Sequence, residues 1–188
     1  MKKSILPLSE LINLFGEGQM IKSFDSFSCP KNKDVADFLT NKCIDFEKRN
    51  KSRTYIIIDN EKLEQKELSI LGYFSLALKS LTIYNELVSP TLRKKMDGFC
   101  TEANDFETFL IGQLGRNNSV TNKELPGKDI LNMATSFIDR AQEFVGGRVI
   151  MIDCEDNKKI IAFYEANNFK YIQKHNTKEN LIQMIKTI

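Results

Sequence analysis

The second half of the sequence switches repeatedly between two periodicities, and this alternation restricts the possible folds more than any other feature. Residues 106–114 (FETFLIGQL) are a largely apolar run of strand length, and residues 149–154 (VIMIDC) are another. Between them, Ile130, Leu131, Ala134, Phe137, Ile138 and Ala141 recur at helical spacing over residues 127–145, and Gly146-Gly147 stop that helix. A second helical segment over 157–167 and two late strands over 169–173 and 181–185 complete the pattern. Strand, helix, strand, helix, strand predicts a mixed α/β sheet with at least one parallel crossover. The nearly unbroken apolarity of residues 106–114 places that strand at the centre of the sheet.

The first half is less regular. Leu8, Leu11, Ile12 and Phe15 make a short amphipathic stretch that breaks at Gly16 and Gly18. Residues 34–49 carry Val35, Phe38, Leu39, Cys43 and Phe46, which predicts a helix with one buried face. Residues 54–58 (TYIII) and 70–78 (ILGYFSLAL) read as strands, joined by the charged connection 61–67. Ser89-Pro90 opens a polar segment with a helical turn.

No internal repeat, low-complexity stretch or Gly/Pro/Ser-rich linker divides the 188 residues, so one domain, 1–188, is expected. No apolar run approaches the roughly 20 residues of a membrane span, and the N-terminus MKKSILPLSE does not read as a signal peptide. A cytoplasmic, non-membrane protein is the expectation. Cys29, Cys43, Cys100 and Cys154 are widely spaced and His175 is the single histidine, which suggests reduced thiols and neither a zinc site nor a disulfide framework. A net charge of +2 is too small for an overtly nucleic-acid-binding composition. Two basic clusters, Lys48, Arg49, Lys51 and Arg53 in one and Arg93, Lys94 and Lys95 in the other, are expected as solvated surface.

The chemistry suggested by the residues lies after the central strand. A polar loop, 116–126, enters the long helix at Gly127-Lys128, where unpaired N–H groups and the positive end of the helix dipole suit a pyrophosphate. The segment contains neither a Walker loop nor a GxGxxG fingerprint.

The order FLIGQLGRN (109–117), GKDIL (127–131), VIMIDCEDN (149–157) and AFYEANNFKYI (162–172) resembles the acetyl-CoA-binding half of GNAT N-acetyltransferases. That resemblance implies a single GNAT domain: a central, mixed, mostly antiparallel sheet with helices on both faces. It implies acetyl-CoA as co-substrate, no metal, and a possible homodimer. It further implies that Leu114, Gly115 and Arg116 face the pantetheine arm, that Gly127, Lys128, Asp129, Ile130 and Leu131 wrap the diphosphate, and that Asn157 lies near the thiol end. Tyr164, seven residues after Asn157, matches the tyrosine that protonates the departing thiolate, and the Leu114 N–H would serve the oxyanion. Glu124 stands where the family has Arg or Gln, and Asp129 where it has a second Gly or Ala. A carboxylate turned inward there would oppose a diphosphate, whereas Asp129 turned to solvent would complement the helix dipole.

FSCPKNKDVADFL (27–39), KSRTYIIID (51–59) and ILGYFSLAL (70–78) are similar to the GNAT branch that includes toxins of toxin-antitoxin pairs, which acetylate the amino group of aminoacyl-tRNA. Three readings stay open at this stage: transfer of acetyl to a primary amine of a small molecule or protein; a toxin acting on aminoacyl-tRNA, with an antitoxin partner and the basic clusters on phosphates; and a non-catalytic acyl-CoA-binding module. The general base is not identified by the sequence. Asp153, Glu155 and a water chain are candidates, with both carboxylates expected at the surface. Cys154 is expected to be buried and inert, His175 to be surface, and Ser75 either to line the acceptor groove or to pack.

Overall fold

Local preference and pairing combine along the chain to give β1 (Lys3–Pro7), α1 (Leu8–Phe15), α2 (Glu17–Phe24), α3 (Lys33–Asp37), a wide π turn (Phe38–Lys42), α4 (Cys43–Lys48), β2 (Arg53–Asp59), α5 (Asn60–Glu64) and β3 (Ile70–Thr82). There follow α6 (Pro90–Asp97), β4 (Asp105–Arg116), α7 (Gly127–Val145), β5 (Val149–Glu155), α8 (Lys158–Glu165), β6 (Lys170–Lys174) and β7 (Leu181–Thr187). The structure, a computed structural model, describes residues 2–65, 67–178 and 180–188; Lys66 of the expected connection and Met1 of the N-terminal motif lie outside them.

The strand order is β1-β2-β3-β4-β5-β7-β6. β1–β2, β2–β3, β5–β7 and β6–β7 are antiparallel, and β4–β5 is parallel. Asn117 N donates to Leu71 O and Ile83 N to Asn104 O, so β3 and β4 also run antiparallel. The mixed, mostly antiparallel sheet with one parallel crossover through α7 is thus the architecture expected from the alternation.

Contacts divide the chain into two compact units. The first comprises Met1–Ala77 and Gln113–Ala134, the second Leu78–Gly112 and Thr135–Ile188. In the first, Leu8, Leu11, Met20, Phe24, Leu39, Ile56, Ile58 and Tyr73 form one buried cluster. Adjacent β3 residues point to opposite faces of the sheet. The Tyr73 hydroxyl donates to Val35 O of α3 on one face, while Gly72 lies against Leu125 and Ile130 of the α7 side on the other. Helices therefore cover both faces of this unit. In the second unit Leu81, Ile83, Val88, Met96, Phe106, Val149, Met151, Ile172 and Ile185 form the core.

Three expectations change. The N-terminal stretch is preceded by a strand, β1, and only Gly16, at φ 80°, breaks the helix; Gly18 sits inside α2. Lys-Ser-Ile-Leu-Pro lacks an alternating pattern, and it becomes a strand by pairing with the edge of β2. The helix expected over 34–49 forms, capped by Asn32, but the π turn slips its register by a residue. Phe46, expected inside, is 40% exposed, and Glu47 is 5% exposed. The Glu47 carboxylate accepts from Thr54 N at 3.0 Å and pairs with Arg53 at 2.9 Å, which satisfies the buried charge. Arg93, expected in a solvated basic cluster, is buried on α6 and donates to Val88 O, Ala103 O, Asn85 O and Asn104 Oδ1. It closes the loop between α6 and β4 and has no free face for a phosphate.

Gly115 is the tightest point of the first unit, because a Cβ there would overlap Val35 and press on Phe27 and Tyr73. Gly115→Ala is expected to cost about 1–3 kcal/mol by overpacking. This is measurable as a fall of roughly 2–4 °C in Tm per kcal/mol, and an unchanged melting curve would refute the packing argument.

Candidate functional site

In the first unit the site is built around the end of β4. Peptide groups alternate sides along an extended strand. Asn117 N bonds Leu71 O of β3, so Gly115 also faces β3, while Leu114 and Arg116 turn their N–H and C=O groups to the opposite edge. These are the residues expected to meet a pantetheine arm, and the edge they present has the donors and acceptors of a strand awaiting a partner.

The loop that follows is rigid, in contrast to the loose loop the polar composition suggests. The Asn117 amide is buried; its Nδ2 donates to Ser26 O and Ile70 O, both at 2.9 Å, and its Oδ1 accepts from Ser28 N and Ser119 N, both at 3.3 Å. The Arg116 guanidinium folds back onto Asn122 Oδ1 and Leu125 O at 2.8 and 3.0 Å. Asn117 was not singled out from the sequence. Its only local signal is an Asn-Asn pair after a strand, which is a generic turn.

Glu124 does not point into a diphosphate position. Its carboxylate accepts from Thr121 N at 2.7 Å, its carbonyl accepts from Lys3 Nζ, and the Thr121 backbone bond, followed by the Thr121 hydroxyl, holds its pKa below the usual value. Asp129 is exposed in the first turn of α7, the orientation that complements the dipole. Pro126 O accepts from Asp129 N and Ile130 N, at 3.0 and 3.4 Å. Among the described residues this leaves the N–H groups of Gly127 and Lys128 without partners at the mouth of a 19-residue helix. The side chains of Ile130 and Leu131 are buried, so only their backbone can take part in any ligand contact.

The second unit holds the other candidates. The ladder of β4 with β5 consists of Phe109↔Ile150 and Leu110↔Met151. Beyond it, β5 continues with Asp153 and Cys154 on opposite faces. Asn157 caps α8, its side chain accepting from Lys159 N at 2.9 Å. Tyr164, the penultimate residue of α8, is partly buried and its ring meets Phe163 and Phe169 edge-on. Burial first, then the nearby Cys154, raises its pKa, so the phenol stays a proton donor at neutral pH. Cys154 is 8% exposed and its thiol is pushed up to about 12, by burial and then by Asp153, Asp156 and Glu155. It is an inert thiol, as expected.

Asp153 and His175 depart from the surface placement expected of them. Asp153 Oδ2 takes Lys79 Nζ at 2.7 Å, Oδ1 takes Gln183 Nε2 at 3.2 Å, and His175 Nε2 lies 4.0 Å away with its side chain 10% exposed. His175 Nδ1 accepts from Thr177 N at 3.2 Å, which leaves Nε2 directed at Asp153. Glu155 is exposed and Ser75 is buried at 2%. Lys79 and Gln183 were missed because an i-to-j ion pair across strands leaves no trace in local periodicity. Among the described residues no group of His, Cys, Asp and Glu could hold a metal ion, and no helix is long and apolar enough to cross a membrane.

No protein-family model and no curated protein matches the chain. Solved structures do. AtaT complexed with acetyl-methionyl-tRNAfMet is similar with a TM-score of 0.68 at 19% identity, covering 97% of this chain and 94% of that one. A tyrosine-to-phenylalanine mutant of KacT reaches a TM-score of 0.70 at 16% identity over 97% and 94%. A tyrosine-to-phenylalanine mutant of the toxin AtaT, bound to the C-terminus of the antitoxin AtaR and acetyl-CoA, gives 0.62 at 17% over 97% and 92%. At such identities the likeness is one of fold.

With the Cys154 thiol at about 12, the thiolate fraction at pH 8 is about one part in ten thousand. Iodoacetamide at that pH is expected to label exposed Cys100 and to spare Cys154 in the folded protein, read by peptide mass spectrometry. Comparable labelling of both would contradict the burial.

Proposed function

We propose that this chain, which has the GNAT fold of AtaT and KacT, is an acetyl-CoA-dependent N-acetyltransferase whose acceptor is the amino group of an aminoacyl-tRNA. The observation that carries the reading is the outward peptide edge of Leu114 and Arg116 leading to the unpaired Gly127 and Lys128 N–H groups, a strip of donors suited to a long, diphosphate-bearing thioester. The chemistry needs no metal: the nitrogen forms an N–C bond at the thioester carbonyl, the C–S bond breaks, the nitrogen gives up two protons and the sulfur takes one. In this reading the Leu114 N–H receives the charge that gathers on the carbonyl oxygen. The attacking ammonium sheds two protons as it becomes an amide: Asp153, on the other face of β5 from Cys154 and with His175 behind it, takes the first, and the second restores the Tyr164 phenol after Tyr164 has protonated the departing thiolate. Lys79 and Gln183 hold the Asp153 carboxylate in one orientation. Asn157 serves α8 as its cap, and through that helix positions Tyr164.

The binding-module reading loses its motive, because the Glu124 carboxylate is tied to Thr121 and Asp129 faces solvent. Between acceptors, the likeness to AtaT held with acetyl-methionyl-tRNA favours aminoacyl-tRNA over a small-molecule or protein amine. A toxin restrained by an antitoxin protein and working in the cytoplasm as one catalytic domain follows in the same proposal. Exposed Arg49, Lys51, Lys94 and Lys95 are the cations left for RNA phosphates, since Lys48 pairs with Glu17, Arg53 with Glu47, and Arg93 is buried.

Release of free thiol from acetyl-CoA with methionyl-tRNA, polyamines and peptide N-termini as acceptors tests the assignment; turnover with the last two alone would overturn the acceptor. Tyr164→Phe is expected to lower kcat by about 10²-fold or more with acetyl-CoA affinity nearly unchanged, and to relieve growth arrest on expression. Because Tyr164 is raised above the ordinary phenol value of about 10, the alkaline side of the pH profile should stay flat at least to that pH. A fall in kcat as the pH rises, beginning well below it, would remove Tyr164 as the acid.

A further inference from the structure

The face of the second unit that α7 covers is left half bare. Ile83 N donates to Asn104 O, Ser80 Oγ to Glu107 Oε1 at 2.9 Å and Thr82 Oγ1 to Asp105 Oδ1 at 2.5 Å. These bonds fix the rungs of β3 on β4, and the next rung of the same face is Leu78 with Phe109. Ser80, Asp105 and Glu107 are exposed and Leu78 is 75% exposed, although β3 and β4 are the third and fourth of seven strands. The reverse face of this ladder, with Leu81, Phe106 and Thr108, is buried. The C-terminal half of α7 supplies a wall. Gly147, just past its end, lies against the Phe109 ring. Phe137, Arg140 and Phe144 share one flank of the helix by their spacing. The parallel β4-α7-β5 crossover is right-handed, which turns that flank toward β3. The opposite flank buries Thr135, whereas Phe144 is 86% exposed.

The bare strip has the dimensions of a helix. Two strands are about 10 Å wide, one helix diameter, and from Leu78 to Thr82 the strip runs about 14 Å, between two and three helical turns. Charge selects the occupant. Glu107 and Asp105 project from one face about 7 Å apart. Each is held by a neutral hydroxyl, and among the described residues neither pairs with a cation. A second copy docked through this face about a two-fold axis would set the same carboxylates against each other. We infer that the strip takes a short amphipathic helix of a partner protein, with an apolar side chain over Leu78, Phe109 and Phe144 and Arg or Lys one and two turns further on, over Glu107 and Asp105. Residues i and i+4 of a helix are about 6 Å apart along its axis, close to the carboxylate spacing. This surface lies outside the acyl-transfer machinery and stands whether or not that reading does.

The test is fluorescence anisotropy of a labelled alanine-based helical peptide bearing Leu, Arg and Arg at successive i+4 positions, titrated with the full chain beside the same peptide carrying Glu for each Arg. Saturable binding is expected for the first peptide and none for the second. Leu78→Ser, at an exposed position, should weaken binding at least about tenfold, and Glu107→Gln about two- to fivefold, the size of an exposed ion pair. Equal binding of the two peptides, no saturation with the first, or undiminished binding by either variant would overturn the inference. So would self-association of the chain that Leu78→Ser abolishes, because a second copy would then be the occupant.

Discussion

One buried side-chain amide orders the whole region after the central strand. Asn117 is shared by four backbone groups, from Ser26, Ser28, Ile70 and Ser119, which belong to three separate stretches of chain. Of these, Ile70 O would otherwise be a buried polar atom in want of a partner, at a cost of about 1–3 kcal/mol. With the amide in place, β4 ends at a defined point and the loop to α7 is carried across the β3 edge. The mouth of α7 is then held where its first N–H groups have nothing to bond. Gly72 and Gly115 make this possible, because a side chain at either would collide with the neighbouring strand, helix or loop.

The second unit is organised by a different polar device. Gln173 accepts from Tyr84 N and donates to Thr82 O and to Gln183 Oε1, and Gln183 in turn donates to Asp153. A chain of amides thus runs from the β3 end through β6 and β7 to β5, finishing at a carboxylate balanced by Lys79. Both glutamines are nearly inaccessible to water, so the network has a single satisfied arrangement, and Asp153 is held in it. A reactive carboxylate placed by such a network differs from one on a flexible surface side chain, because orienting it costs nothing further when a substrate arrives.

Much of this was legible in residue order. The strands over 106–114, 149–154 and 181–185 and the helix over 127–145 appear within a residue or two of their expected limits, since long apolar periodicity overrides local noise. The inertness of Cys154 was also accessible, from its place at the end of an apolar strand, whereas the orientation of Asp129 stayed open until the structure placed it at the surface. Less legible were β1, which exists only because β2 offers an edge, and the π turn at Phe38–Lys42, which exchanges Phe46 for Glu47 on the buried face. A one-residue slip in a helix cannot be seen in a pattern that tolerates spacings of both three and four.

The linear sequence by itself determined the alternation of elements, the class of sheet, and the places where glycine and asparagine had to stand, because those depend on short-range sterics and on hydrophobic period. Tertiary structure alone decided which polar groups meet. Arg93 was withdrawn from the surface to close a loop, Asp153 and His175 were drawn inward beside Lys79, and Glu124 was turned onto Thr121. Hydrogen bonds and ion pairs join residues dozens of positions apart, and their strength depends on burial and geometry that no local pattern encodes.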